Sequence, residues 1–206
     1  DLKHSDEKIF WQDVFGSENY APVVSKAALT ASRYYEGTPA DLKFFISEAD
    51  LDNQKKFESL MYWIGVWETN GAKIDGINAK LSLSYSEDEA KQAENKADFD
   101  RLLDNLVSAG KLIRLSNFDI TYKDASGTNV AAKDITEEQR QRLADYYAYV
   151  IKSYMSKVPS DKQAGLCKGN MVDTSDPVGL WSIDSKSKDW VRTATYKAFC
   201  DALSGN

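Results

Sequence analysis

Histidine, cysteine and proline are scarce in this chain of 206 residues, which has one histidine, two cysteines and four prolines. A Ser-His-Asp triad needs a histidine beside its nucleophile, and a zinc site usually takes several His or Cys ligands. His4 stands alone in a charged stretch, so both kinds of site are excluded, and we expect no metal and no cofactor. Cys167 and Cys200 are too few and too far apart for a disulfide framework or a C-x-x-C site, and we expect two buried, inert thiols.

Clusters of basic residues and long apolar runs are also missing. The net charge is -6, and no Lys/Arg-rich block offers the positive footprint that nucleic acid or an anionic membrane requires. No apolar run approaches the roughly 20 residues needed to cross a bilayer. No charged-then-apolar leader opens the chain at Asp1, so we expect that any export signal was removed or never present. An acidic protein that handles a neutral ligand fits this composition best.

Length and patterning favour one globular α/β domain over residues 1–206. Four short apolar runs alternate with helical patterns, which is typical of β/α units around a parallel sheet. The expected strands are Leu42 to Ser47, Ile74 to Leu83, Leu112 to Ile120 and Ala164 to Met171. The expected helices are Pro22 to Tyr35, Asn53 to Thr69, Glu87 to Ala109, Thr136 to Met155 and Thr193 to Leu203. Thr136 is a plausible N-cap, and Trp63 and Trp67 lie at helical spacing and are expected in the core.

The loops that follow the strands are where a site is expected, because parallel sheets bind ligands at the carboxyl ends of their strands. Four sets of residues occupy these loops. They are Glu48 to Asp52, Ser82 to Tyr85, Asn117 to Lys123, and Lys168 to Asn170. We expect the four sets to converge in space.

Several segments, taken in order, resemble glycoside hydrolase family 10, the xylanase family. They are Phe10 to Gly16 with Tyr20, Ile46 to Asp52, Ile74-Asp75-Gly76-Ile77, Gly110 to Ile120, Gly179-Leu180-Trp181, and Arg192 to Tyr196. The resemblance runs through nearly the whole chain but corresponds only to the second half of that family's barrel. It implies a (β/α)8 TIM-barrel-like fold, with this chain supplying about four β/α units as the C-terminal half.

Four strands cannot close an eight-stranded barrel, and they would leave two open edges and a bare, inward-facing apolar surface. We therefore expect an N-terminal half-barrel as a partner, either in cis in a longer polypeptide or as a cleaved piece. A pair of half-barrels and an unusually covered open sheet are the alternatives. The resemblance also implies that the general acid/base glutamate lies upstream of Asp1.

The resemblance breaks at the functional positions. Asn117 stands where the family carries its glutamate nucleophile, and an amide cannot form the glycosyl ester that retaining hydrolysis needs. Lys80 and Ser82 stand at the positions of a glutamine and a histidine that contact sugar and nucleophile. Lys168 replaces the aromatic residue of an aromatic-Gly pair, and Ala49 replaces a tyrosine.

Asn117 is either a ligand-binding amide or a turn residue at a strand end. Asp119, the family's partner to the missing histidine, is expected to keep a structural hydrogen bond. Lys80 and Lys168 are expected to be at least half-buried and to need a carboxylate. The candidate partners are Glu48, Asp50 and Asp119. Such a salt-bridge network would fill the former cleft; alternatively, the lysines would accept an acidic sugar.

Tyr85 and Tyr122 are expected in loops after strands, where their rings could stack on sugars.

The sequence leaves three functional interpretations open. The first is a non-catalytic homologue that binds a β-linked plant polysaccharide such as xylan, or an acidic oligosaccharide. The second is an active retaining hydrolase that uses relocated carboxylates, with Glu48 as the fallback group, and the third is a structural domain without ligand. Kinship with the family implies an extracytoplasmic protein.

Overall fold

The computed structural model describes residues 11–32 and 42–205. The helices are α1 (Trp11–Phe15), α2 (Tyr20–Ser32), α3 (Gln54–Thr69), α4 (Glu89–Ser108), α5 (Glu137–Lys157) and α6 (Ala194–Leu203), with a short 3₁₀ helix at Ser160–Lys162. The strands are β1 (Phe45–Ala49), β2 (Gly76–Lys80), β3 (Leu83–Ser86), β4 (Leu112–Ser116), β5 (Ile120–Lys123), β6 (Gln163–Leu166), β7 (Trp181–Ile183) and β8 (Trp190–Arg192). In this part of the chain no helix has the length and apolar character of a membrane span.

Four strands form the central sheet in the order β1-β2-β4-β6. The helices α3, α4 and α5 each lie in the chain between two neighbouring strands of this sheet, which is the connection that parallel strands require. The parallel pairing of β4 with β6 agrees with this arrangement. The α/β fold with a parallel sheet that the sequence predicts is therefore confirmed.

The two faces of the sheet differ in burial. Ile113 and Leu115 of β4 are 1% and 0% exposed, whereas Arg114 between them is exposed. On the same face as Arg114, the amide of Asn78 in β2 donates hydrogen bonds to the Ser47 and Ser116 hydroxyls, at 2.7 and 2.9 Å. The prediction that this face is apolar is wrong, because period-two alternation places polar and cationic side chains there.

Two of the predicted strands are each broken in two. The sequence predicts one strand over Ile74 to Leu83, but β2 ends at Lys80 and β3 begins at Leu83. Leu112 to Ile120 divides into β4 and β5 at Asn117, whose φ of 54° lies in the left-handed region and turns the chain. The strands β3 and β5 then pair in parallel with each other as a separate two-stranded sheet.

The helices agree closely with the sequence patterns. The helix α5 begins after Thr136, whose hydroxyl accepts a hydrogen bond from the Gln139 amide N–H while the Gln139 side chain accepts one from Thr136 N–H. This reciprocal pair is a capping box and confirms Thr136 as the N-cap. The part of the predicted helix Pro22 to Tyr35 that falls beyond Ser32 lies outside the described residues.

The contacts divide the chain into two compact units. The first holds the described residues up to Ile46 together with Gln54–Gly76, and the second holds Ser47–Asn53 with the described residues from Ile77 onward. Within the first unit Trp67 is fully buried, and its indole N–H donates to the Ser17 carbonyl at 2.7 Å, which confirms its place in the core. Trp63 stacks on Trp67 and is half-buried. The single domain over residues 1–206 stays a prediction.

Two features of the second unit depart from the sequence expectations. The antiparallel hairpin of β7 and β8 is absent from the predicted elements. The two cysteines are free, as expected, but they are not buried: Cys200 is exposed on α6, and Cys167 is half-buried just beyond β6. Cys167 lies on the open face of the sheet, where its sulfur accepts a hydrogen bond from Arg114 Nε at 3.1 Å, so burial does not protect it.

Candidate functional site

A cleft of about 400 Å³ lies at the carboxyl ends of the strands of the second unit. Three of the four predicted loop sets meet there, namely those that contain Ser82, Asn117 and Gly169. The side chains that line the cleft carry hydroxyl, amide and carboxylate groups over an apolar wall. The lining residues are Leu81, Ser82, Leu83, Asn117, Asp119, Thr121, Gly169 and Asn170.

Asp119 is held by groups from the loop after β6. Its Oδ1 forms an ion pair with Lys168 Nζ and accepts the Asn170 backbone N–H at 3.0 Å. Its Oδ2 accepts the Asn170 side-chain amide at 2.6 Å. Gly169 packs so closely that a β-carbon on it would lie 2.5 Å from Oδ2. Asp119 thus serves as a structural hydrogen-bond acceptor, as the sequence predicts.

The Lys168 side chain is only 6% exposed and lies over the ring of Tyr147, with Nζ 5.4 Å from the ring centroid. Burial lowers the pKa of Lys168, and the hydrogen bond and charge of Asp119 oppose that shift. A buried ammonium is stable only with a well-placed partner, and here Asp119 supplies it. The prediction that Lys168 needs a carboxylate is confirmed, and Asp119 is that carboxylate.

Asn117 is exposed at the wall of the cleft. Its positive φ places it at a turn between β4 and β5, and its carbonyl accepts the Asp119 N–H at 2.7 Å. The turn interpretation is therefore confirmed, and the exposed amide remains available as a donor and acceptor. The two interpretations of Asn117 are compatible because the backbone makes the turn and the side chain lines the cleft.

Three other predicted site residues lie away from the cleft wall. Lys80 is exposed, so the expectation that it is at least half-buried is wrong: strand alternation places it on the open face, where water solvates the ammonium. Lys80 and Asp50 line a second, smaller cavity instead. Glu48 is half-buried, and its Oε1 accepts a hydrogen bond from the Ala49 backbone N–H at 2.9 Å. Glu48 lines neither the cleft nor the smaller cavity.

Tyr85 and Tyr122 lie within strands, so their prediction as loop residues is wrong. Tyr122 in β5 is fully buried and donates its hydroxyl hydrogen to Glu87 Oε1 at 2.8 Å. Burial, together with the Glu87 carboxylate, raises the pKa of Tyr122 far above its ordinary value. Tyr85 in β3 is half-buried and stacks on Tyr122, with ring centroids 4.9 Å apart. Tyr122 therefore has no ring face left for a sugar, because its faces pack inside the protein.

Thr121 and Asn170 also line the cleft, although the sequence predicts neither as a site residue; both lie in the loop sets that follow the strands. No feature of the sequence distinguishes these two residues from the other polar residues of the loops. Asn170 becomes visible only through its two hydrogen bonds to Asp119.

The cleft can hydrogen-bond a polyhydroxylated ligand through Ser82, Asn117, Thr121 and Asn170. Among its lining residues in the described part of the chain, Asp119 is the sole carboxylate. Retaining glycosidases need two carboxyl groups about 5 Å apart. No group of three or more His, Cys, Asp or Glu residues in the described ranges is arranged to hold a metal ion.

Comparisons with known proteins agree with this geometry. The sequence profile of Glycosyl hydrolase family 10 matches residues 2–193. No match is found among curated proteins. Solved xylanases are similar in structure. Native xylanase10C from Cellvibrio japonicus is 14% identical with a TM-score of 0.62, over 96% of this chain and 41% of that one.

Two further xylanases give the same result. Xylanase B from Clostridium stercorarium F9 is 14% identical with a TM-score of 0.66, over 98% of this chain and 58% of that one. A glycosylated endo-beta-1,4-xylanase from Gloeophyllum trabeum is 17% identical with a TM-score of 0.60, over 96% of this chain and 55% of that one. This chain thus spans about half the length of these xylanases.

At such low identity the structural likeness shows the fold, which is that of part of a (β/α)8 TIM barrel. The profile match over residues 2–193 shows the family. The order of the segments that resemble the family, the parallel sheet and the cleft at the strand ends all agree with that match. This chain belongs to glycosyl hydrolase family 10.

Proposed function

We propose that this chain is a non-catalytic member of its family that binds a β-linked plant polysaccharide such as xylan in the cleft beside Asn117. The observation that carries the proposal is that the amide of Asn117 lines the cleft at the position where the family resemblance implies the nucleophile, and that Asp119 is the sole carboxylate among the described residues of the lining. An amide cannot act as the nucleophile of a retaining glycosidase, and the carboxylate of Asp119 is already engaged by Lys168 and Asn170.

The groups that remain in the cleft suit sugar hydroxyls. Ser82, Thr121 and the amides of Asn117 and Asn170 offer donors and acceptors, and Leu81 and Leu83 offer apolar surface for the ring. One family relative, xylanase10C from Cellvibrio japonicus, has been solved in complex with xylopentaose. That complex supports a xylo-oligosaccharide as the first ligand to test.

The ion pair of Lys168 with Asp119 argues against the acidic oligosaccharide that the sequence left open. Lys168 is 6% exposed, and its ammonium is already engaged with Asp119, so it cannot meet a uronate without breaking a buried pair. The relocated-carboxylate alternative lacks support as well, because Glu48 does not line the cleft and is engaged with Ala49 N–H.

The proposal includes a partner and a location. The open, polar face of the four-stranded sheet supports a role for this chain as the C-terminal half of a barrel, with an N-terminal half supplied in cis or as a cleaved piece. Family kinship with polysaccharide-degrading xylanases supports a site of action outside the cytoplasm.

Isothermal titration with xylohexaose tests the proposal. We expect measurable binding to the unaltered chain and weakening of about fivefold or more for Asn117→Ala and for Asn170→Ala, since each removes side-chain hydrogen bonds. Asn129→Ala, an exposed asparagine outside the cleft, is the matched control and should bind like the unaltered chain. Absence of heat with every xylo-oligosaccharide would leave only the structural-domain interpretation.

An activity assay tests the non-catalytic part separately. Reducing-sugar release from xylan should not exceed the buffer blank, and mass spectrometry after incubation with an activated xyloside should show no sugar attached to the chain. A covalent glycosyl adduct on any side chain would overturn this part of the proposal.

A further inference from the structure

The hairpin of β7 and β8 leaves an apolar surface exposed in the second unit. Ile183 is 54% exposed and Trp190 is 61% exposed, and the two residues lie directly opposite each other in the antiparallel pair. Opposite residues share one face of a sheet, so these two side chains are neighbours. No residue of the hairpin lines the cleft, so this surface is separate from the site described above.

Arg192 continues the same face of the hairpin. It lies opposite Trp181 in the register and two residues along the strand from Trp190. Its guanidinium carbon is 5.3 Å from the ring centroid of Trp181 and 4.5 Å from that of Tyr196 in α6. Two cation–π contacts thus hold the guanidinium in place. We call Trp181, Ile183, Trp190, Arg192 and Tyr196 the hairpin platform.

The guanidinium of Arg192 is exposed and has no carboxylate partner. No ion pair or side-chain hydrogen bond engages it in the part of the chain that the structure describes, and the rings of Trp181 and Tyr196 are its neighbours. Its N–H donors are therefore available to a ligand. A planar guanidinium matches a carboxylate, which accepts two parallel hydrogen bonds from it.

The local charge favours an anion here although the whole chain has a net charge of -6. Residues 181–196 carry three cations and two carboxylates, a net charge of +1. One of these carboxylates, Asp184, is occupied in the turn, where its Oδ1 accepts the backbone N–H groups of Lys186 and Ser187 at 2.9 and 2.7 Å. Salt screens exposed charges beyond about 8 Å at physiological ionic strength, so the local excess outweighs the acidic remainder of the chain.

The hairpin is fixed at its base as well as at its turn. The Thr193 hydroxyl is 3.0 Å from the carbonyl oxygens of both Gly179 and Leu180, and the Thr193 N–H donates to the Leu180 carbonyl at 3.0 Å. Thr193 directly follows Arg192 in the chain. A surface that is already ordered loses less conformational entropy when a ligand binds.

The size and chemistry of the hairpin platform suit a sugar ring better than a protein. Its few side chains are far short of the roughly 20–30 residues that each partner contributes to a stable protein interface. Trp190 offers a flat apolar face on which a pyranose ring can pack, and Arg192 beside it offers charge-assisted hydrogen bonds to a carboxylate. A sugar that has both a ring face and a carboxylate is a uronic acid.

We infer that the hairpin platform is a second glycan-binding surface, which recognises a uronic acid residue of an acidic polysaccharide. The sugar ring packs on Trp190 beside Ile183, and its carboxylate binds Arg192. The platform acts independently of the cleft, where the ion pair of Lys168 with Asp119 excludes the same sugar. The inference therefore goes beyond the proposed function and does not depend on it.

Isothermal titration with tetragalacturonate, an oligomer made only of uronic acid residues, tests the inference. We expect binding to the unaltered chain. The fully methyl-esterified oligomer has the same backbone without the charge, and we expect it to bind about tenfold more weakly or less tightly still, because the charge-assisted hydrogen bonds are lost. Equal affinity for the two oligomers, or no binding of either, would overturn the inference.

Substitutions in the hairpin locate the site. Arg192→Gln should weaken tetragalacturonate binding about tenfold or more, and Trp190→Ala about fivefold or more. Lys186→Gln is the matched control, because it removes the same charge from the turn of the same hairpin, outside the platform. It should change the affinity less than about twofold. Equal losses in Arg192→Gln and Lys186→Gln would show a general attraction between charges and would overturn the site.

Two further measurements separate loss of the site from loss of the fold. Circular dichroism and urea unfolding show whether each variant is folded without any ligand. Arg192→Lys keeps the positive charge but not the planar fork, so it should bind tetragalacturonate more tightly than Arg192→Gln and less tightly than the unaltered chain. An affinity of Arg192→Lys no better than that of Arg192→Gln, in a folded variant, would contradict the role given to the charge.

The outcomes for the cleft and for the hairpin platform are distinguishable. Binding of xylohexaose without binding of tetragalacturonate would overturn the platform and leave the proposed function intact. Binding of tetragalacturonate alone, lost in Arg192→Gln, would support the platform and count against the proposed function. A dimer in sedimentation velocity that becomes a monomer in Trp190→Ala would assign the platform to a contact between two copies of the chain and overturn the inference.

Discussion

The ammonium of Lys168 forms an ion pair with the carboxylate of Asp119, which lines the cleft, and Lys168 is 6% exposed while Asp119 is 21% exposed. The resemblance to the family implies an aromatic residue at position 168. In this chain the residue is Lys168, whose charged side chain packs over the ring of Tyr147. The pair therefore neutralises the one carboxylate found among the described residues that line the cleft. Its energetic role can be measured.

Replacing one partner should cost more than replacing both. Lys168→Met removes the cation and leaves Asp119 with only the Asn170 donors, and we expect a loss of about 2–3 kcal/mol in the free energy of unfolding. The double variant Lys168→Met with Asp119→Asn should recover at least about 1 kcal/mol of this. Urea unfolding of all four proteins in the cycle measures the coupling, and strictly additive effects would show that the pair contributes nothing.

Position 169 requires glycine because the backbone there lies too close to the Asp119 carboxylate for a β-carbon to fit. A β-carbon at this position would lie 2.5 Å from Oδ2 and 2.9 Å from Cγ, so Gly169→Ala must displace the carboxylate from its partners. We expect a loss of about 1–2 kcal/mol in unfolding free energy, together with weaker xylohexaose binding.

Gly65 is the matched control for that substitution. It lies in α3, and a β-carbon there would meet nothing within 4 Å. Gly65→Ala should raise the free energy of unfolding by about 0.5–1 kcal/mol, because alanine favours the helix more than glycine. Equal losses in both variants would show that the contact with Asp119 is not what makes Gly169 necessary.

Glu87 predicts a pH dependence of stability. Hydrogen bonds from Gln139 Nε2 and the Tyr122 hydroxyl lower the pKa of Glu87 below its ordinary value of 4.5. A lowered carboxyl pKa gives stability that is fully present above the unfolded-state pKa and is lost as the pH falls through the lower folded-state pKa. The stability of the unaltered chain should therefore decline below about pH 4.5.

Glu87→Gln tests this dependence. At pH 7 the variant should be less stable by about 1–2 kcal/mol, because hydrogen bonds to an ionised group are lost. Its stability should fall less steeply below pH 4.5, so that the two curves converge in acid. Glu94→Gln is the control, since Glu94 is exposed and pairs with the exposed Lys91; it should change stability by under about 0.5 kcal/mol. Parallel curves for Glu87→Gln and the unaltered chain would contradict the assignment.

Much of the fold follows from the sequence because its helices carry strong local signals. The apolar spacing of α3 to α6 and the cap at Thr136 depend on residues close in the chain. The strand breaks depend on distant residues: β3 pairs with β5 across α4, and no local pattern shows that pairing. Period-two alternation buries Tyr122 in one strand and exposes Lys80 in another. The face that each residue occupies depends on where its strand begins and ends, and the sequence pattern does not fix these bounds.

The site was predictable to a similar degree. The loops after strands were identified because parallel sheets place their carboxyl ends together, and three of the four sets line the cleft. The sequence predicts that Lys168 needs a carboxylate partner but does not identify it. The choice among Glu48, Asp50 and Asp119 depends on distances between residues that lie far apart in the chain. The second cavity could not be foreseen, because residues from four separate segments build it.

Two adjacent tyrosines of α5 give the most direct test of the hydrogen-bond network. Tyr147 is fully buried; its hydroxyl accepts the Ile120 N–H at 2.8 Å and donates to the Val178 carbonyl at 3.1 Å. Tyr147→Phe should therefore lower the free energy of unfolding by about 2–3 kcal/mol, because it leaves two buried backbone groups unpaired.

Tyr146→Phe removes the hydroxyl group of the neighbouring residue, and here we expect no loss in the free energy of unfolding. The Tyr146 hydroxyl is buried without a partner among the described residues, so its removal relieves a desolvation cost. The variant should be as stable as the unaltered chain or more stable by up to about 1 kcal/mol in urea unfolding without ligand. A loss of 2 kcal/mol or more, comparable to that of Tyr147→Phe, would mean that the Tyr146 hydroxyl already has a partner in the folded chain.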